Sequence, residues 1–279
     1  MIEVLQLEFM QRAVLAGVLV SVACGIVGTY VVVNRFVFVS GAIAHAAYGG
    51  IGLGYFLSIS PVIGAIVFSV AAALAMGVVQ RKTRERADTI IGMMWAIGMA
   101  VGIILIDLTP GYAADLMSYL FGSILTVPWA DLSVMLVLDA VIIVLVLAFY
   151  KELLAISFDE TYASTANVRV EAIHLLLLCL VALTVVMLMR VVGLILVIAL
   201  LTMPAAISAR FTSNLKMMMA ISVVLGVLFT SLGLLGSYVL DVTSGATIIL
   251  TSAAAFLLAT AYRAIVGWRF RSGRTPARP

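Results

Sequence analysis

Long apolar runs separated by short polar segments set the pattern of this chain. Stretches with few or no charges cover Ala13–Val33, Phe36–Gln80, Thr89–Ile106, Leu132–Tyr150, Ala172–Met189, Val191–Ala209, Met217–Leu240 and Val242–Tyr262. A helix rises ~1.5 Å per residue, so about 20 apolar residues cross a hydrocarbon layer of ~30 Å. The second run, 45 residues long, is enough for two crossings, and Ser58-Ile59-Ser60-Pro61 marks the turn between them. The pattern predicts an all-α, polytopic transmembrane helical bundle of eight or nine spans. Leu116–Ala130, bounded by Asp115 and Asp131, is too short to cross and reads as an interfacial or re-entrant element.

Composition narrows the class further. Of the 279 residues, 65% are hydrophobic and 10% charged, with a mean hydropathy of +1.26. Soluble domains carry roughly 45–50% apolar and about 25% charged residues, so a soluble enzyme, a disordered chain and a secreted disulfide scaffold are excluded. Cys24 and Cys179 lie far apart inside apolar runs and read as small buried hydrophobes. The N-terminal Met1-Ile2-Glu3-Val4 lacks the positive start of a cleaved signal peptide, so the first span is expected to stay in the mature protein.

The placement of the bases adds a topology. Arg35, the Arg81–Arg86 loop, Lys151 to Arg169, Arg210 to Lys216 and the tail from Arg263 to Arg278 lie an even number of spans apart. Fourteen of the sixteen bases can therefore share the cytoplasmic side, leaving Arg12 and Arg190 outside. Nine spans would put the N-terminus outside and the C-terminus in the cytoplasm. Residues 1–265 read as one transmembrane domain and 266–279 as a basic, disordered cytoplasmic tail. A net charge of +3 is too small to suggest a nucleic-acid partner.

Few residues are left to carry chemistry. None of Lys82, Lys151 and Lys216 follows a glycine, so no phosphate-binding Gly-Lys-Ser/Thr loop is present. His45 lies well inside the second span with no acid in that span. An intramembrane ionisable group costs ~2–3 kcal/mol on insertion scales, and it normally faces a pathway or a partner. Its helical face carries Gly41, Tyr48, Gly49 and Gly52, and a neutral imidazole suits zinc, iron or copper. An interhelical hydrogen bond is the other reading. Asp139 is the second deep charge, in a pathway or paired with a neighbouring helix. His174 reads as interfacial, and Met93, Met94 and Met99 as core filling or the lining of a path for a soft cation. Pro204 is expected to kink or break its helix.

The polar segment Lys151–Arg169 carries helix signals of its own. Ser157 and Glu160 have capping-box spacing, and Asn167 can adopt the left-handed conformation that ends a helix. A short helix from about Phe158 to Ala166 follows, lying on the cytoplasmic face.

Several stretches resemble a known family. Ser40-Gly41-Ala42-Ile43-Ala44-His45-Ala46 with Gly49 to Gly54, Asp88-Thr89-Ile90-Ile91-Gly92, Asp115 to Gly122 and Ser157-Phe158-Asp159-Glu160 with Ala163 are four of them. Val192 to Val197 through Pro204-Ala205-Ala206, and Asp241 with Ser244-Gly245-Ala246, complete the set. Together they are similar to the permease subunit of ATP-binding cassette importers of the zinc/manganese/iron type. The resemblance runs from about residue 10 to 262.

It implies a homodimer around a translocation path in a prokaryotic plasma membrane. Two separate ATPase subunits would sit below, and an extracytoplasmic metal-binding protein would deliver cargo. His45 would be the metal ligand, with Tyr48, Asp139 and Pro204 along the pathway. Ser157, Phe158, Asp159, Glu160, Ala163 and Asn167 would form the helix that couples to the ATPase. No permanently bound cofactor is implied: the metal is cargo, most readily zinc, then manganese or iron, and ATP is used by the partner. Two positions depart from the family. An aspartate commonly stands four residues before the histidine, where this chain has Gly41, and Asn167 replaces a usual glycine. A permease for a metal chelate of the siderophore or cobalamin type is the alternative, with an intramembrane enzyme a remote third reading.

Overall fold

A computed structural model of the chain describes residues 7–82, 87–110, 122 and 124–272. Among the described residues every regular element is helical. They are α1 (Glu8–Val33), α2 (Val37–Phe56), α3 (Pro61–Lys82), α4 (Ala87–Asp107), a 3-10 turn at Ile124–Thr126, α5 (Trp129–Ala148), α6 (Tyr150–Phe158), α7 (Glu160–Thr165), α8 (Val170–Ser208), α9 (Leu215–Leu240) and α10 (Ser244–Ser272). Among the described residues, eight helical stretches are long and apolar enough to cross a membrane.

The run Val191–Ala209 is not a full span. α8 is interrupted at Gly193, whose φ of 73° and ψ of 168° lie outside any helix. Its first limb, Val170–Met189, has the length of a crossing, and its second, Leu196–Ser208, has only thirteen residues. The chain reverses at that break. His174, near the start of the first limb, packs edge-on against Phe36, while Met187 lines a crevice with Val62 and Asp131 at the opposite end of the bundle. Ser208, ending the second limb, is back near the first end, its hydroxyl 2.9 Å from that of Ser222 on α9. Only glycine takes this backbone conformation freely.

Pro204 does not make the break. It lies within continuous helix in the second limb, because its ring already prefers a helical φ and removes a single hydrogen bond.

Small residues set the helix contacts, as expected where lipid supplies no hydrophobic drive between helices. A Cβ on Gly98 of α4 would sit 2.5 Å from the Ala46 Cα of α2. Gly50 of α2 meets the Gly64 carbonyl of α3, and Gly28 of α1 meets the Leu201 carbonyl of the returning limb. α8 is the hub, packing on α1, α2, α3, α5, α9 and α10. α2 is the most enclosed span, with 78% of its apolar stretch buried; α4 and α10 are the least, at 22% and 11%.

The basic clusters gather at one end. Arg35 follows α1, whose neighbour Asn34 donates to Ser157; Arg81 pairs with Glu160 at 3.6 Å; Lys216 stands over the Tyr150 ring. Arg210 lies over Phe256, and Arg263 over Phe211. At the other end Trp129 donates to Glu8 at 3.2 Å.

The polar connection differs from expectation. α5 runs into α6 through the single residue Phe149, which ends one helix and begins the next. Ser157 is therefore inside α6, donating to the Leu153 carbonyl, and cannot cap the following helix. Asp159 is the cap, accepting from the backbone N–H groups of Thr161 at 2.8 Å and Tyr162 at 3.1 Å. Asn167 takes a left-handed φ of 63° and ends α7, with Val168 N–H returning to the Ala163 carbonyl. At the C-terminus α10 continues to Ser272, past the boundary drawn at residue 265, and 273–279 lie outside the described residues. So do Arg84 and Arg86, and most of the Asp115–Gly122 block with the start of the re-entrant candidate Leu116–Ala130.

Candidate functional site

The close α2–α4 crossing delivers His45 to two side chains of α4. Its half-buried imidazole stacks on Trp95, ring centroids 4.0 Å apart and planes 18° from parallel. Its Nδ1 lies 2.9 Å from Met99 Sδ. Trp95 and Met99 are four residues apart, so they share one face of α4, and Gly98 and Gly102 beside them remove the bulk that would hold the helices apart. Carrying its proton on Nδ1, the ring donates to the thioether and leaves the Nε2 lone pair for a cation.

Gly41 stands one turn before His45. A Cβ there would be 3.3 Å from Trp95 and 3.2 Å from Ile198 of the returning limb of α8. The broken helix thus reaches the histidine site, and the position where the resemblance leads to a carboxylate is walled by an indole and an isoleucine. With its Nδ1–H taken up by the thioether, the histidine offers one nitrogen donor, Nε2, which suits borderline cations. Among the described residues, no three His, Cys, Asp or Glu side chains are grouped to hold a metal.

Of the other pathway candidates, Tyr48 follows His45 by one turn of α2, whereas Asp139 and Pro204 lie on other helices. Tyr48 is 2% exposed in the α2–α4 contact, its carbonyl against Gly102. Asp139 is 3% exposed on α5, and neither oxygen has a hydrogen-bond partner among the described residues. α5 is held by α1 and α8, whereas α2 is held by α3, α4 and α8. Pro204 is on the returning limb near Ser208. There a hydroxyl chain, Ser208 to Ser222 at 2.9 Å and Ser222 to Thr29 at 3.4 Å, ties the limb to α9 and α1.

The segment at the basic end forms a second unit. Phe158 and Tyr162 are 70% and 67% exposed, while Ala163 between them and the bundle is fully buried. Glu160 faces Arg81 of α3 at 3.6 Å and His174 of α8 at 3.9 Å. Asn34 donates to the Tyr30 carbonyl and to the Ser157 hydroxyl, joining the end of α1 to α6. α6 and α7 are thus anchored to three transmembrane helices and present aromatic side chains outward.

Trp95, Ile198, Asn34 and Arg81 were not among the candidates read from the sequence. The Trp95/Met99 pair, interleaved with Gly98 and Gly102, is the pattern that marks the α4 face. Nothing in the local sequence marks Ile198, which comes from a distant limb.

Comparison with known proteins identifies the family. Residues 6–263 match the family model described as the ABC 3 transport family. The chain is 56% identical to an uncharacterized membrane protein of Synechocystis sp., over 94% of each chain. It is 33% identical to the manganese transport system membrane protein MntC of Listeria monocytogenes, over 97% of this chain and 96% of that one. Among solved structures it resembles PsaBC from Streptococcus pneumoniae in complex with Fab, with a TM-score of 0.84 and 35% identity over 92% and 93% of the chains. The chain belongs to the ABC 3 transport family, as a membrane permease of a metal importer whose ATPase is a separate chain.

Proposed function

We propose that two copies of this chain form the translocation path of an ATP-driven importer for a divalent transition-metal ion, with zinc as the leading cargo. The observation that carries the reading is the His45–Met99 pair, 2.9 Å apart beside the returning limb of α8. Manganese prefers carboxylate and other oxygen donors, whereas an imidazole nitrogen such as the Nε2 left free by this pairing favours zinc-like ions. With Gly41 in place of an acid, the donor set leans toward zinc. Manganese is the second reading, favoured by the name of the Listeria relative.

A homodimer is supported by the two least covered spans. α4 and α10 expose most of their apolar length, and Gly92 on α4 has open space where a Cβ would project. An uncovered glycine on a lipid-embedded helix suits the close approach of another helix. Because α4 also carries Trp95 and Met99, a dimer joined there would place both histidine sites near its axis.

The basic end is assigned to the cytoplasm, with the N-terminus outside, by the accumulation of Lys and Arg. There α6 and α7 would seat in the ATPase through Phe158 and Tyr162, with Asp159 and Glu160 holding the unit in shape. An extracytoplasmic metal-binding protein would load the opposite end. The test is metal uptake into vesicles holding the permease and its ATPase, with zinc, manganese and iron in competition. ATP-dependent zinc uptake is expected to dominate. Manganese dominance would establish the second reading, and no uptake of any of the three would overturn both.

A further inference from the structure

α5 and α9 both pack on α1, yet a gap remains between them, lined by the end of α5, the start of α6 and the first turns of α9. The gap is a groove of about 1030 Å³ at the basic end of the bundle. Its walls are apolar, with Ile26 of α1, Val146 and Leu147 of α5, and Val223 of α9. Its mouth is different: Lys151, Glu152 and Lys216 line it, and the Lys216 ammonium stands 5.1 Å above the Tyr150 ring.

We propose that this groove holds one anionic phospholipid, acyl chains between α5 and α9 and phosphate at Lys151 and Lys216. The chemistry is divided as a lipid is divided. Unfilled space between apolar walls forfeits dispersion contacts, and in a bilayer the groups at hand to fill it are acyl chains. Two ammonium groups against one carboxylate leave the mouth with a net positive charge, and lysines at the membrane surface favour anionic headgroups. Tyr150 sits where amphipathic aromatic rings settle, at the headgroup level. The proposal rests on the membrane-spanning fold and is independent of which metal is carried.

The test uses the purified permease–ATPase complex, delipidated in detergent and titrated with phosphatidylglycerol or phosphatidylcholine, with bound lipid counted by native mass spectrometry. One phosphatidylglycerol per protomer is expected to be retained in preference to phosphatidylcholine. Lys151→Gln and Lys216→Gln should each weaken phosphatidylglycerol binding about fivefold and leave phosphatidylcholine unchanged. Glu152→Gln should retain more phosphatidylglycerol than the wild type. Ala220→Trp, at an exposed lining position, should exclude both lipids while the complex stays assembled. Wild-type affinity in both lysine variants, or an adduct retained by Ala220→Trp, would overturn the proposal. So would a disulfide between Leu147→Cys protomers in native membranes, because the groove would then be covered by a second copy.

Discussion

His45 and Trp95 lie face to face, an imidazole on an indole, with centroids 4.0 Å apart. The contact closes one face of the ring while Met99 occupies its Nδ1 edge, so a cation has the Nε2 side to itself. His45→Ala should therefore abolish most metal flux, by ~10–100-fold, while the ATPase still co-purifies. Wild-type flux in that variant would show that the second span does not carry the cargo.

Met99 is expected to set preference more than rate. Met99→Leu keeps an apolar side chain of similar volume but removes the sulfur. Without the sulfur nothing fixes the proton on Nδ1, so Nε2 is less often free and zinc uptake should fall relative to manganese uptake in a two-metal competition, with the helix packing and thermal stability retained. An unchanged ratio would limit Met99 to packing.

Gly41→Asp tests the same chemistry from the other direction. A Cβ at this position meets only the ends of Ile198 and Trp95, at 3.2 and 3.3 Å, so small side-chain shifts can admit it. The new carboxylate, one turn from His45, should move the selectivity toward manganese. The measurement is the zinc-to-manganese uptake ratio against that of the wild type.

Asp159→Ala removes the cap of α7 and leaves the two N–H groups of Thr161 and Tyr162 without their acceptor. Loss of such a cap costs ~1 kcal/mol, enough to loosen a six-residue helix but not the bundle. The variant should reach the membrane and lose the ATPase on co-purification. Phe158→Ala, which touches the bundle little, should reproduce the dissociation without changing permease stability.

Asp139→Leu should raise thermal stability. The native carboxyl is buried with no hydrogen-bond partner among the described residues, and an unsatisfied buried polar group costs ~1–3 kcal/mol. If flux falls in the stabilised variant, Asp139 serves transport at the expense of stability. Destabilisation would mean that the carboxyl has a partner in the working complex.

Much of the fold was legible because lipid imposes a simple rule of length and polarity. The runs ending at Val33, Gln80 and Leu240 became helices within a few residues of their apolar limits, and the turn at Ser58–Pro61 fell where the long run divides. His45 stood out since a lone ionisable group in such a run is expensive. What escaped was long-range or backbone-determined. Gly193 looked like one glycine among 22, and only its positive φ marks it as the reversal. Ile198 reaches Gly41 by way of that reversal, so no local pattern points to it. Ser157 had the spacing of a cap, but spacing cannot reveal that α6 continues α5 and carries this serine inside a helix.

The single-residue joint at Phe149 has a mechanical consequence. A flexible loop between α5 and α6 would absorb a displacement at the basic end; here there is no slack to absorb it. A push on Phe158 or Tyr162 would be passed through α6 as through a lever, with Phe149 as the fulcrum and α5 as the load. Asn34 and Glu160 stay the lever sideways against α1, α3 and α8. A stroke delivered at α7 would then reach the membrane as a tilt of α5, and inserting a glycine pair after Phe149 should dissipate it, read as lost metal uptake with the ATPase still bound.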